Sequence, residues 1–264
     1  MVKKQDRVVI ITGATGGLGQ ALARAHLLQG DQVAVTGRHL TKLEELKEMA
    51  ASLGRSGHLH PYVLDVTDNE AVRAFAAWIH IRFERCDLLY NNAGTAVFKP
   101  FLETSLDEWE QTLATNVSGL LYVTRAFLPM MTKAGSGQIV NITSLAGQVA
   151  TAKAAVYAAS KAAVIRFSEG LRHELDGTGI TVTCVMPGPI DTPFLDRADE
   201  TGRYRHKVRR FLLTPEEAAK TIMRAVERKQ PEVALPLRLH VLSAVYSLLP
   251  HGVKRWLAPL MNRK

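Results

Sequence analysis

Short apolar runs alternate with amphipathic stretches from residue 7 to about residue 235, and this alternation constrains the fold more than any other feature of the chain. RVVIITG (7–13), QVAVTG (32–37), LHPYVLDV (59–66), CDLLYNNAG (86–94), QIVNITS (138–144) and ITVTCVMPG (180–188) read as strands. Between them, residues 18–29, 40–53, 69–83, 106–131 and 154–176 read as helices, and 215–229 as a further one. A seventh strand is placed at EVALPL (232–237). Apolar strands with no polar alternation need cover on both faces, and intervening helices supply it. The expected fold is α/β: a single-domain, doubly wound parallel sheet of the Rossmann type, with helices on both faces. Residues 1–232 are assigned to this domain and 233–264 to a C-terminal extension packed on it or on a partner subunit. At 47% hydrophobic and 22% charged residues the 264-residue chain is excluded from disordered and membrane-bundle classes.

The first strand runs into TGATGGLG and then a helix. This order of strand, glycine turn and helix N-terminus is what phosphate binding requires. Gly13 permits the turn, Gly17 lets a pyrophosphate approach the backbone, and Gly19 lets helix and strand pack closely. Thr15, Gly16 and Leu18 complete the turn. An acidic residue after the second strand grips the ribose 2′-hydroxyl of NAD in such folds. Here the strand ends in Thr36-Gly37-Arg38-His39, with no acid. Arg38 would meet a 2′-phosphate as a bidentate cation, so NADP is expected over NAD. Gly16, where a second basic residue would help, is not basic.

Tyr157 and Lys161 stand four apart in an Ala-rich helical stretch, hence on one helix face. A phenol is a poor base at neutral pH, and a nearby ammonium together with the positive charge of an oxidised nicotinamide would lower its pKa. Ser144 ends the fifth strand and can donate a hydrogen bond to a substrate carbonyl. Cys86 and Cys184 read as buried thiols in a reducing compartment. His58 and His60 lack a second ligand pair, so no metal site is expected. The sequons at Asn116 and Asn141 fall inside apolar motifs and are discounted.

Together these residues resemble the short-chain dehydrogenase/reductase family. TGATGGLG matches its cofactor turn. Asp65-Val66, Asn91–Gly94 in NNAG, and Asn116 in NVSG match its next signatures. Ser144, Tyr157 and Lys161 match its catalytic set, with 13 residues from serine to tyrosine. PGPIDT (187–192) matches its nicotinamide-side loop. The resemblance implies that Tyr157 is the general acid in reduction and that Lys161 lowers its pKa and binds the nicotinamide ribose. It implies that Ser144 positions the carbonyl and that Asn116 anchors a proton-relaying water chain. It assigns Asp65 and Val66 to adenine, Asn91, Ala93 and Gly94 to the cleft, and Ile190 and Thr192 to the carboxamide end. The implied activity is hydride transfer between NADP(H) and a carbonyl or secondary alcohol. A non-catalytic nucleotide-binding or sensing protein on the same fold is the alternative, disfavoured by the complete catalytic set. An epimerase or dehydratase of the extended family needs more chain after Thr192. The small, apolar segment between Ser144 and Tyr157 favours a hydrophobic ketone or aldehyde.

Net charge is +8, unevenly placed: residues 197–264 hold 15 Lys and Arg against 6 Asp and Glu, net +9, and the rest is −1. Nucleic acid is not expected, because the excess shows no recognition element with interleaved aromatics. An anion-binding substrate lobe and a solvated basic face compete for Arg197, Arg203, Arg205, Lys207, Arg209 and Arg210. The apolar and basic tail, from Leu239 through Trp256, Leu257, Leu260 and Met261 to Lys264, has three readings. They are a subunit contact or lid, peripheral membrane contact, and a mobile tail. Apolar area in the tail predicts a homodimer or homotetramer. The polar, charged start of the chain predicts a cytoplasmic protein, with the tail as its route to a membrane.

Overall fold

A computed structural model describes residues 7–250 and residue 252. Lys254, Arg255, Trp256, Leu257, Leu260, Met261, Arg263 and Lys264 lie outside the described residues. The chain runs β1 (Val8–Ile11), α1 (Gly17–Gln29), β2 (Gln32–Gly37), α2 (Leu40–Ser52), β3 (Leu59–Val63), α3 (Asn69–Phe83) and β4 (Leu88–Asn91). It continues through α4 (Leu106–Leu113), α5 (Leu120–Ala134), β5 (Gly137–Ile142), α6 (Ala155–Glu174) and β6 (Ile180–Pro187). The last elements are α7 (Pro193–Ala198), α8 (Arg203–Val208), α9 (Pro215–Glu227), β7 (Glu232–Leu235) and α10 (Leu237–Leu248). The seven strands form one parallel sheet in the order β3-β2-β1-β4-β5-β6-β7. Strand order reverses between β1 and β4, which opens a crevice at their C-terminal ends.

The unbroken apolar strands follow from cover on both faces. Val9 and Ile11 of β1 pack with Leu22 of α1, Leu43 of α2 and Ile222 of α9 on one face. Ile10 packs with Phe75 of α3, Phe127 of α5 and Leu171 of α6 on the other. Cys86 and Cys184 are buried free thiols.

Three boundaries differ from expectation. The helix read as continuous over 106–131 is broken by a π-helical segment, Ala114–Gly119. Its wide turn coincides with two tertiary demands that the helical period does not show. Asn116 is buried with its side chain bonded to Thr95 and Ser160. Gly119 lies so close to Val66 that a Cβ there would be 2.7 Å from Val66 Cγ2. β3 stops at Val63, because Leu64, Asp65 and Val66 leave the sheet to line the crevice. β7 pairs with β6 across Glu232–Leu235, so a boundary at 232/233 cuts the last strand. The extension therefore begins beyond Leu235, with α10.

A largely buried polar chain links the start of β1 to the end of α1, the start of β2 and β4. Arg7 donates to both carboxylate oxygens of Asp31 (3.1 and 2.7 Å). His26 Nδ1 lies 2.7 Å from Asp31 and its Nε2 lies 3.0 Å from the Tyr90 hydroxyl. An acceptor-only carboxylate puts the ring proton on Nδ1, so Nε2 accepts from Tyr90 and the imidazole is neutral. Burial lowers the His26 pKa against the pull of Asp31. Burial pushes Asp31 up, but the hydrogen bonds from His26 and Arg7 outweigh it and bring the carboxyl down to about 2.

Both shifts make stability fall with falling pH. Unfolded His26 takes a proton below about 6.5, where the folded ring resists it. The Asp31 contribution, about 2 kcal/mol, is complete above the unfolded carboxylate pKa and is lost as pH falls toward 2. Thermal melts should show Tm declining from pH 7 downward. Tyr90→Phe, which leaves His26 Nε2 unpaired, should cost about 1–3 kcal/mol at neutral pH. A Tm unchanged between pH 7 and 4 would remove this network from the stability argument.

Candidate active site

The crevice is a cleft of about 860 Å³ that extends from the glycine turn to α10. Its floor is the turn between β1 and α1. Gly13 takes a positive φ of 62°, and a Cβ there would lie 2.7 Å from Ala93 Cα. At Gly17 a Cβ would lie 2.5 Å from the Thr192 methyl, so the missing side chain also seats the loop after β6 on the turn. Gly16 is the N-cap of α1, and no side chain caps the helix. The first-turn N–H groups of α1 are thus left without a side-chain acceptor, and Thr15, Gly16, Gly17, Leu18 and Gly19 line the cleft. An uncapped helix end in a cavity fits an anionic pyrophosphate.

At one end, Arg38 and His39 after β2 line the cleft with Lys42, one turn into α2, and with Asp65 and Val66 after β3. One Asp65 carboxylate oxygen accepts from the Thr67 N–H and hydroxyl (2.9 and 2.8 Å), which shapes this corner. Lys42 was not singled out from the sequence. The spacing Arg38-x-x-x-Lys42 on the entry to a helix was its signal.

At the other end Ser144, Tyr157 and Lys161 converge. Ser144 leaves β5, where its Oγ accepts from the Ala146 N–H (3.1 Å) and faces the Pro187 carbonyl (3.4 Å). Tyr157 and Lys161 sit one turn apart on α6, both buried, with Lys161 Nζ 5.9 Å from the phenol ring centre. Lys161 donates to the Ile142 carbonyl at 3.0 Å. Burial lowers its pKa to about 8. Burial likewise pushes Tyr157 up to about 12, with the Ser144 hydrogen bond pulling it down. In the protein alone desolvation outweighs the Ser144 hydrogen bond, and the phenol is held protonated. The positive charge of an oxidised nicotinamide would act on it only with the cofactor in place.

Asn116 does not line the cleft. Its Oδ1 accepts from the Thr95 N–H (2.8 Å), and its Nδ2 donates to the Thr95 carbonyl (2.8 Å) and Ser160 Oγ (3.0 Å). A Cβ at Gly94 would lie 3.3 Å from Asn116 Oδ1 and 3.4 Å from Lys161 Nζ, so both residues flank Gly94. The expectation for Asn91 is corrected. Its side chain is buried away from the cleft, donating to Thr124 (2.9 Å) and Asn141 (2.8 Å). The next residue, Asn92, lines the cleft and donates to the Thr12 and Gly13 carbonyls (2.9 and 3.0 Å), pinning the glycine turn. Successive side chains at the end of β4 point to opposite sides, and only the strand's position decides which enters the cleft. Ala93, Gly94, Ile190 and Thr192 line it. His60 bonds Gln32 at 2.8 Å, and the described residues hold no cluster able to bind a metal.

The family model for short chain dehydrogenases matches residues 7–202. The chain belongs to this family. It is a nicotinamide-dependent, hydride-transferring oxidoreductase on a Rossmann fold. It is 36% identical over 220 residues to the NADP-dependent 3-hydroxy acid dehydrogenase YdfG of Escherichia coli, covering 81% of this chain and 87% of that protein. The closed form of a serine dehydrogenase complexed with NADP⁺ superposes with a TM-score of 0.78 at 35% identity, covering 86% and 93% of the two chains. A Burkholderia phymatum family member solved with NAD has a TM-score of 0.85 over 93% and 94% of the chains. Its identity of 23% speaks to the fold alone.

Around Tyr157 the cleft of this dehydrogenase is walled by aromatic and aliphatic side chains. Phe98 contacts both Tyr157 and Tyr204, at ring separations of 5.7 and 4.6 Å, and Phe194 lies 6.2 Å from Tyr157. Leu239, Leu242, Val245 and Tyr246 of α10 line the same cleft, together with Leu249. Tyr204 comes from a basic segment, TGRYRHK, whereas the α10 residues belong to the apolar tail for which a lid was one reading.

Proposed function

We propose that the protein is an NADP(H)-dependent reductase of apolar ketones or aldehydes, with the reverse oxidation as its other direction. The observation that carries this reading is the joint placement of Ser144, Tyr157 and Lys161 in one cleft with an uncapped helix N-terminus and the Arg38–Lys42 pair. Arg38 and Lys42 would hold the adenosine 2′-phosphate, the α1 turn the pyrophosphate, and Lys161 the nicotinamide ribose. The bound nicotinamide supplies the hydride. Ser144 and Tyr157 would both hydrogen-bond the carbonyl oxygen. A phenol held neutral by burial is the form that donates its proton to that oxygen. Asn116 acts as a positioning residue: its side chain is spent on Thr95 and Ser160, so any proton route past it uses its main chain. The NADP-dependent name of the 3-hydroxy acid dehydrogenase and the NADP⁺ complex of the serine dehydrogenase support the cofactor choice. Assembly is read as a homo-oligomer, because Phe101, Leu102 and Leu106 are 63, 98 and 68% exposed in one short stretch.

The test is a panel of carbonyls and alcohols followed spectroscopically with NADPH and NADP⁺. Turnover should rise with apolar bulk. Leu239→Ala, which trims the roof, should lower kcat/KM for bulky ketones about tenfold while sparing small ones. An equal loss for both sizes would assign Leu239 to folding rather than to the substrate wall.

A further inference from the structure

The mouth of the cleft combines two features that a water-facing surface does not need. Phe211, Leu242 and Val245 line the cleft and yet are 46, 63 and 54% exposed. Leu237 and Val241 continue this apolar surface along α10, at 69 and 52% exposure. Beside it stands a basic segment. α8 and the 3-10 turn Arg209–Phe211 present Arg203, His206, Arg209 and Arg210 to solvent. Arg203, Arg209 and Arg210 form no ion pair among the described residues.

Three acids of this lobe, Asp191, Asp196 and Asp199, are held by neighbours within it, and Glu200 stays exposed. Arg205 pairs with Asp191 (2.5 Å) and Asp196 (2.9 Å). Asp199 accepts from the Thr201 hydroxyl (2.6 Å) and the Tyr204 N–H (2.7 Å). The cationic excess therefore faces outward, next to exposed aliphatic side chains.

We propose that this mouth docks on an anionic lipid surface. Charge decides against a second copy of the chain. Residues 197–264 carry net +9, so a two-fold contact would oppose like charges, and residues 1–196, at net −1, offer no acidic surplus. Aliphatic side chains decide against a soluble polyanion, which gives them nothing to enter. Apolar groups for the acyl boundary and cations for the headgroups are what an interfacial contact requires. No helix among the described residues is long and apolar enough to cross a membrane, so the contact is peripheral. The sequence beyond α10 continues in kind, with Trp256, Leu257 and Leu260 among Lys254, Arg255, Arg263 and Lys264. Docking would open the cleft toward the bilayer, where apolar carbonyls concentrate. That consequence rests on the apolar-substrate reading, whereas the docking does not.

The experiment is flotation of the full-length chain with vesicles of phosphatidylcholine, with and without phosphatidylglycerol, at low and high salt. Wild type should float with the anionic vesicles at low salt and be released at high salt. Each cation at an anionic surface is worth about 1 kcal/mol, or about fivefold, so the Arg209→Glu/Arg210→Glu double variant should bind at least about 25-fold more weakly. Val241→Asp should weaken vesicle binding several-fold and leave turnover of a water-soluble ketone unchanged. Failure to float with anionic vesicles, or equal binding by wild type and the double variant, would overturn the proposal. So would light scattering that shows a dimer broken by Val241→Asp, which would give the surface to a second copy. Vesicle binding is read without substrate, so an inactive preparation that floats leaves this proposal standing and sinks only the catalytic one.

Discussion

Tyr157→Phe should lower kcat by about 100- to 10,000-fold while the affinity for NADPH stays within a few-fold of wild type. The phenol is the one ionisable hydroxyl placed beside both Ser144 and Lys161 at the end of the cleft. Its ring packs on Phe98 and Phe194, contacts that phenylalanine keeps. The loss therefore reports proton transfer rather than collapse of the wall. Lys161 sharpens the test. Its ammonium is costly to bury, which is why its pKa falls to about 8, and its bond to the Ile142 carbonyl fixes where it stands. Lys161→Ala should damage cofactor affinity as well as turnover, and Tyr157→Phe turnover alone. Steady-state kinetics with fluorescence titration of NADPH separates the two. A Tyr157→Phe enzyme with more than half of wild-type turnover would remove Tyr157 from the chemistry.

The second large effect concerns the cofactor. NADPH should bind at least about tenfold more tightly than NADH, about 1.4 kcal/mol. The warrant is two cations lining one end of the cleft, Arg38 just before α2 and Lys42 in its first turn, with no carboxylate after β2 to accept a ribose 2′-hydroxyl. Arg38→Asp should reverse the preference, because a carboxylate repels the 2′-phosphate and accepts from the hydroxyl that replaces it. Lys42→Ala should reduce the preference without reversing it. Calorimetry with both cofactors on the three proteins reads this directly. Equal wild-type affinities would take Arg38 and Lys42 out of the role and return the choice to NAD.

Much of the molecule was legible in the chain because its signals are local. Apolar runs such as VVII and TVTCVM, with no polar alternation, state that both faces of a sheet are covered, and the two cores on either side of β1 bear this out. A glycine turn between a strand and a helix is set by backbone sterics within eight residues. The Tyr157–Lys161 spacing is fixed by the helical pitch, and the two do share one face of α6. For the same reason the helix starts and family signatures could be placed from the residues themselves.

What the sequence left open depends on contacts between distant segments. No local pattern says that Asn91 faces Thr124 while Asn92 faces the glycine turn; the end of β4 against its neighbours decides it. Nor does the helical period at 106–131 reveal the π-turn around Asn116, because its cause is Thr95, Ser160 and the close approach of Val66. Burial raises the Tyr157 phenol in the protein alone, and burial is a property of the assembled cleft that no spacing records. Lys42, Phe98 and Phe194 join the site only through folding. The sheet, the glycine turn and the candidate catalytic side chains follow from local rules, since steric and periodic constraints act over a few residues. Which side chains meet in the cleft, and what burial does to their protons, follow from folding, since both depend on neighbours far away along the chain.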